Sequence, residues 1–357
     1  MVEKDAAQHR RHIAAVGREL ELTCRGKPRP LPRTVYFGGG TPGILGADGL
    51  RALAAQLRVH ADFSNVEEWT CELTPATATP DTLDALREVG VTRVSMGVQT
   101  FHAGVARRMG RHNAEIPSLI TGAGCSRHFS AGIDLIAGLP GIGKARWQRD
   151  LETTLSLGVD HVSVYALNVE EGTALAGWVR EKNARLKSDG ALMDMLAMAE
   201  ETLCAAGFAR YEISNYARPG KACRHHLGVW RGEDFLGLGP AAVSRAGLRR
   251  WRNAPDAAGY VARLGRGEAP ERAVEVLDAT MDACERGLTA LRLLEGWDAA
   301  GCVEKFPALA PHAARFVETL HGLARHGLVV ECAGRWRLTR RGREVADAVT
   351  CEVLREI

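Results

Sequence analysis

Short apolar runs at 34–38, 68–73, 92–98, 132–138 and 161–167 recur along the chain, with helical patterns between them at 46–59, 80–89, 114–129, 145–157 and 188–206. Strands joined through single helices pair as a parallel sheet with right-handed crossovers, and such a sheet places its ligand site at the C-terminal ends of its strands. Runs such as Arg93-Val94-Ser95-Met96-Gly97-Val98 and Gly132-Ile133-Asp134-Leu135-Ile136-Ala137-Gly138 read as compact and non-alternating, the pattern of strands covered on both faces. A less regular strand is expected at 209–214. The expected fold class is therefore α/β, built on parallel strands.

Thr34-Val35-Tyr36-Phe37 breaks into Gly38-Gly39-Gly40 and then Thr41-Pro42, a helix start. Consecutive glycines bare the backbone N–H and C=O groups at a strand tip, where a small polar ligand can approach without meeting a Cβ. The same kind of turn also serves merely to seat a helix closely on a sheet, so the loop alone has two readings. Polar residues stand at the ends of the other strands: Glu72 before Thr74-Pro75, Gln99 before Thr100-Phe101, and Asp134 before Gly138-Leu139-Pro140. Such groups inside apolar strands are costly unless paired or facing a ligand, and several at equivalent heights indicate a polar-lined cavity. Each taken singly can also cap a neighbouring loop. Arg111 either reaches over the same mouth or is a solvated surface arginine.

With 357 residues and 46% hydrophobic content the chain can bury a large core, and its net charge of +3 demands neither nucleic acid nor an anionic membrane. The N-terminal 18 residues are charged and amphipathic, and no stretch of about 18 apolar residues occurs, so no membrane span is expected and the expected compartment is cytoplasmic. The nine cysteines, at 24, 71, 125, 204, 223, 284, 302, 332 and 351, include no C-x-x-C or C-x-x-x-C pair, which argues against a disulfide framework or a local metal knuckle. Residues 1–246 read as the α/β core, 247–277 as a connection with a polar Gly/Arg-rich stretch at 247–273, and 278–357 as a small winged-helix-like α+β lobe of helices followed by two short strands. No concentrated basic helix accompanies that lobe, so no nucleic-acid partner is expected.

Five ordered segments then carry a resemblance: Tyr36 to Pro42, Glu72-Leu73-Thr74-Pro75, Arg93 to Phe101, Asp134 to Pro140, and Tyr211 to Gly220. Together they resemble the radical S-adenosylmethionine (SAM) family of oxygen-independent coproporphyrinogen III oxidase-like proteins, in order over nearly the whole chain. With Cys223-Arg224-His225-His226-Leu227-Gly228-Val229-Trp230 added, the sequence is most similar to the haem chaperone branch (HemW-type), whose members carry haem for delivery to apo-haemoproteins. The resemblance implies a partial (β/α) barrel. It implies that Gly39, Gly40 and Thr41 hold the methionine end of SAM, that Glu72 fixes that cofactor, and that Gln99, Arg111 and Asp134 line its pocket. It implies that His225 is the histidine that holds haem, consistent with imidazole as an axial ligand for haem iron.

Two departures from the family pattern stand out. The C-x-x-x-C-x-x-C triplet that ligates a [4Fe–4S] cluster is absent, and without it no radical chemistry is expected and no stable cluster. The triplet belongs to a first barrel strand that this sequence lacks, either because the start is placed too late or because the protein is shortened. In the haem motif, His226 replaces the usual Asn and Val229 the usual Tyr. Three functions remain open: a haem carrier, a coproporphyrinogen III oxidoreductase, and a cluster-free protein that only binds ligand. A homodimer is one arrangement that the sequence allows.

Overall fold

The computed structural model describes residues 6–111 and 128–355. Helix α1 (Ala6–Cys24) precedes an alternating series: β1 (Thr34–Phe37), α2 (Gly46–His60), β2 (Glu68–Leu73), α3 (Pro80–Glu88), β3 (Arg93–Gln99), α4 (Ala103–Arg108), β4 (Ser130–Ala137), α5 (Lys144–Ser156) and β5 (His161–Ala166). The helix expected at 114–129 lies almost wholly outside the described residues. After α6 (Ala174–Arg180) and α7 (Asp189–Ala205), the short strands β6 (Ala209–Arg210) and β7 (Asn215–Ala217) complete a seven-stranded sheet in the order β1-β2-β3-β4-β5-β7-β6. The first five strands are parallel neighbours, and β7 and β6 add on antiparallel.

The strands are not apolar on both faces as expected; they alternate. Register places Tyr36 beside Thr70, Glu72 beside Ser95, Gly97 beside Asp134 and Asp134 beside Ser163, so these residues share one face. Phe37, Trp69, Cys71, Val94, Met96, Ile133, Leu135 and Val162 occupy the opposite face and pack with Leu50, Leu86, Trp147 and Leu151 of the helices. Each such large side chain contributes about 1.5–3 kcal/mol on burial. One helix-covered apolar face is therefore enough to hold the sheet, and the polar face is left for ligand chemistry. Along that face burial falls toward the C-terminal ends: Glu68, Thr70, Arg93, Ser95, His161 and Ser163 are buried, Tyr36, Glu72 and Asp134 half-buried, and Tyr165 exposed. The face thus opens at the strand tips.

The stretch 247–273 is not a bare connection. With β8 (Val243–Ala246) before it, it forms β9 (Arg249–Asn253), helix α9 (Ala257–Gly265) and the start of β10 (Arg272–Val276), an antiparallel sheet in the order β10-β9-β8. The reason is Glu19 of α1, which is 0% exposed and would be costly alone. It accepts from Gly239 N (2.8 Å), Asn253 Nδ2 (2.8 Å), Tyr260 Oη (2.6 Å) and Arg272 Nη2 (2.8 Å). One carboxylate thereby fastens the small sheet and α9 onto α1.

The C-terminal part has its own apolar cluster, with Cys284, Leu288, Trp297, Phe316, Leu320, Trp336 and Val349 among its buried members. Its helices α10 (Ala279–Thr289), α11 (Ala299–Lys305) and α12 (Ala310–Arg325) precede the hairpin β11 (Val329–Cys332) and β12 (Arg335–Leu338), and α13 (Arg340–Glu344) and α14 (Ala346–Leu354) follow. Arg343 reaches back to Glu200 of α7, which also takes Arg210. Among the described residues no helix is long and apolar enough to cross a membrane.

Candidate functional site

At the strand tips the Gly38–Thr41 turn is fitted around a single carboxylate. Tyr36 donates its hydroxyl to Glu72 Oε1 at 2.7 Å, and the Gly39 backbone N–H also bonds this carboxylate. A Cβ at Gly38 would lie 2.5 Å from Tyr36 Cε1 and 2.8 Å from Glu72 Oε1, so no larger residue fits there without movement. Gly39 takes φ +74°, a backbone region that favours glycine, while nothing lies within 4 Å of a Cβ on Gly39 or Gly40. Space and bare backbone therefore stand on the solvent side of the turn. A cleft of about 210 Å³ opens there, lined by Thr41, Ile44, Thr74, Thr77 and Arg111.

The remaining expected pocket residues sit on the next strands. Asp134 accepts from Ser95 Oγ at 3.0 Å and from the Ser163 hydroxyl. Burial raises its carboxyl above the usual range, an effect opposed by those two hydroxyls and by the Arg111 charge. Glu72 is likewise raised by burial and by the Asp134 charge, with the Tyr36 and Gly39 bonds opposing. Arg111 donates from Nη1 to Gly97 O at 3.3 Å, and burial lowers its guanidinium while Asp134 opposes. Gln99 ends β3 at φ +67°, where the β3–β4 register shifts, and its buried Oε1 finds no partner among the described residues. A non-glycine residue held in that region marks strain that the surroundings must support. Asp150 supplies the support by accepting from Thr100 Oγ1 (2.7 Å) and Phe101 N (2.8 Å), a residue that no motif pointed to.

These residues fit the amino-acid end of SAM. The open glycine backbone suits a carboxylate, Glu72 suits an ammonium, and the orphaned Gln99 Oε1 calls for a donor. The cluster is a different matter. The eight described cysteines are all free, Cys125 lies outside the described residues, and no group of three or more His, Cys, Asp or Glu side chains among the described residues could hold a metal. A [4Fe–4S] centre does not fit the donor set of the described residues.

His225 lies at the other, closed end of the same polar face, on helix α8 (Arg224–Trp230), which packs on β1. Glu68 Oε1 accepts from His225 N (3.2 Å) and Cys223 Sγ (3.3 Å), while its Oε2 pairs with Arg93 Nε at 3.0 Å. Both partners of that ion pair are buried, with side chains 8% and 6% exposed. Arg93 also donates to Lys221 O at 2.5 Å, and Tyr211 Oη bonds His161 Nε2 (2.8 Å) and accepts from Cys223 N (3.4 Å). The segment before α8 is thus tied to the sheet at several points.

The His225 ring stacks on Tyr36 with centroids 5.0 Å apart, and its Nδ1 bonds Thr34 Oγ1 at 3.1 Å. When Nδ1 is the donor in that bond, Nε2 carries the free lone pair, the state in which imidazole ligates a metal. His226 sits 5.5 Å from the Tyr36 ring, and its buried Nδ1 has no partner among the described residues. Burial pushes His226 down to about 4, lowers His225, and holds His161 well below its usual value. Burial thus favours the neutral form of all three imidazoles. Cys223 is pushed up to about 12 by burial, so it stays a thiol and not a nucleophile.

Tyr36, Glu68, Arg93 and His161 were given no site role from the sequence. Their signal was the period-two alternation of polar and apolar residues, which assigns every second residue of each strand to one face.

Comparison with known proteins adds the following. The model of the Radical SAM superfamily matches residues 19–153. A protein from Mycobacterium tuberculosis (strain ATCC 25618 / H37Rv) named heme chaperone HemW is 34% identical over 348 residues, covering 96% of this chain and 86% of its own length. A HemW from Escherichia coli (strain K12) is 30% identical over 87% of this chain and 81% of its own. Among solved structures, coproporphyrinogen III oxidase (HemN) from Escherichia coli, described as a radical SAM enzyme, superposes with a TM-score of 0.81 at 24% identity, covering 99% of this chain and 85% of that one. That likeness carries the fold.

Proposed function

Because this chain belongs to the HemW family of radical SAM-type proteins, we propose that it binds haem as cargo, binds SAM at the strand tips, and releases haem to apo-haemoproteins. The observation that supports the reading is the pair of imidazoles on α8 beside the Tyr36 ring, on a polar sheet face that opens at the strand tips. His225 Nε2 is the axial ligand to haem iron in this reading, with Nδ1 held by Thr34 to orient the ring. The unsatisfied His226 Nδ1 stands beside it.

At the mouth, Glu72 receives the SAM ammonium, the Gly39-Gly40-Thr41 loop holds the methionine end by main-chain contacts, and Gln99, Arg111 and Asp134 enclose the rest. Glu72 and Asp134, both raised by burial, would be lowered by a cationic ligand, and SAM would supply such charge through its ammonium and sulfonium. The oxidoreductase alternative needs a thiolate triplet that the described residues do not supply.

Titration of the purified protein with ferric haem tests the reading. A defined Soret band is expected, with His225→Ala weakening binding at least tenfold and shifting the spectrum, and the double His225→Ala, His226→Ala variant losing the band. Equal spectra and affinities for wild type and the double variant would remove these histidines from the site.

A further inference from the structure

Tyr36 touches both ends of the polar face. Its hydroxyl donates to Glu72 Oε1 at 2.7 Å, and its ring stacks on His225 at 5.0 Å and 27°, with His226 at 5.5 Å. Glu72 and Glu68 stand four residues apart on β2, roughly 13 Å at strand rise, and Glu68 holds the backbone of His225. Tyr36 pairs with Thr70, midway between the two glutamates. Burial and the adjacent Glu72 charge push its pKa far above the usual value, so it remains a neutral donor to the carboxylate. Gly38 closes the space beside both groups, since even a Cβ there would meet Tyr36 Cε1 and Glu72 Oε1. The ring therefore has little room to move independently of either neighbour.

We propose that Tyr36 is a positioning residue that couples the two ends of the face, so that SAM at Glu72 and haem at His225 bind with positive cooperativity. The inference rests on the haem and SAM assignments above. The physical step is short. Glu72 without a cation is burdened by burial and by the Asp134 charge, and it holds Tyr36 through a single bond. An ammonium at Glu72 neutralises that burden and fixes the carboxylate, which fixes the phenol that donates to it. The fixed ring holds the His225 imidazole in its stacked orientation, so less rotamer freedom is lost when iron binds. Linkage then requires haem to tighten SAM by the same factor.

The test is a thermodynamic cycle read by the Soret band, with haem titrated into wild type and Tyr36→Phe in the absence and presence of saturating SAM. Phe keeps the stacked ring and removes only the hydroxyl. In wild type SAM should tighten haem binding at least fivefold, within the usual range of coupling between sites. In Tyr36→Phe the ratio of haem affinities with and without SAM should fall below twofold, whatever the haem affinity of the variant alone. Independent binding in wild type, or full coupling retained in Tyr36→Phe, overturns the proposal. His225→Ala serves as the control: if it binds haem as wild type does, the haem assignment itself has failed and the coupling falls with it. If His225→Ala loses haem while wild type shows no response to SAM, the coupling alone has failed.

Discussion

Removing the Glu68 carboxylate should unseat α8 and its histidines at a measurable cost in stability. In the native chain Oε2 takes Arg93 Nε at 3.0 Å, while Oε1 takes His225 N and Cys223 Sγ. Glu68→Ala leaves the Arg93 guanidinium buried without its counter-ion, a loss of about 3–5 kcal/mol. The two freed donors add to this, each being a polar group stranded away from water. Glu68→Gln keeps an acceptor and loses only the charge, so about 2 kcal/mol is expected from the weakened hydrogen bond to a charged group. Against a typical total of about 5–15 kcal/mol, both are large. Urea denaturation reads the change as a lower midpoint at unchanged slope. In Glu68→Ala, Arg93→Met both charges are gone, and the double variant should be more stable than the sum of the singles predicts. A Glu68→Ala cost below about 1 kcal/mol, or strict additivity in the cycle, would refute the claim that this buried pair is what fastens α8 to the sheet.

Two further outcomes follow from the site. His226 has its folded value pushed down to about 4 from the ordinary 6.5, so between those values the unfolded chain binds more protons than the folded one. Stability from this group is complete above about pH 6.5 and falls by about 1.4 kcal/mol per pH unit as pH drops toward 4; His161 and His225, also lowered, add to the slope. Denaturation midpoints across that window should show it, and His226→Gln should reduce the measured slope by about that amount. Gly38→Ala places a methyl against Tyr36 and Glu72, an overpacking expected to cost about 1–3 kcal/mol; calorimetric titration with SAM should show at least a tenfold loss of affinity, and an unchanged affinity would detach the turn from the cofactor.

The strand positions were legible because each is a compact run between helical patterns: β2 spans 68–73 as read, and β1, β3, β4 and β5 differ from the reading by a residue or two at their ends. Their two-faced character was not. In Arg93-Val94-Ser95-Met96-Gly97-Val98, small Ser and Gly pass as apolar, and the reason Arg93 can be buried is Glu68 on the neighbouring strand, 25 residues away. Pairings of that kind leave no local trace. The strand-end polar residues Glu72, Gln99 and Asp134 were visible as interruptions, yet the left-handed backbone of Gln99 was not, since it follows from a register shift between β3 and β4. Tyr36 read as one more apolar strand residue, because its partners Glu72 and His225 are 36 and 189 positions further on. The stretch 247–273 looked like a polar connection because its organising partner is Glu19, at the other end of the chain.

The central claim is that haem iron is held by an α8 imidazole on the polar face of the sheet. Iron-edge anomalous diffraction from crystals of the haem-loaded protein locates the metal without reference to any spectrum. One strong iron peak is expected within bonding distance of His225 Nε2, on the β1 side of the face and next to the Tyr36 ring. An iron peak on a histidine away from this face, such as His102 or His312, or on a cysteine, with the His225 ring still stacked and unligated, would contradict it.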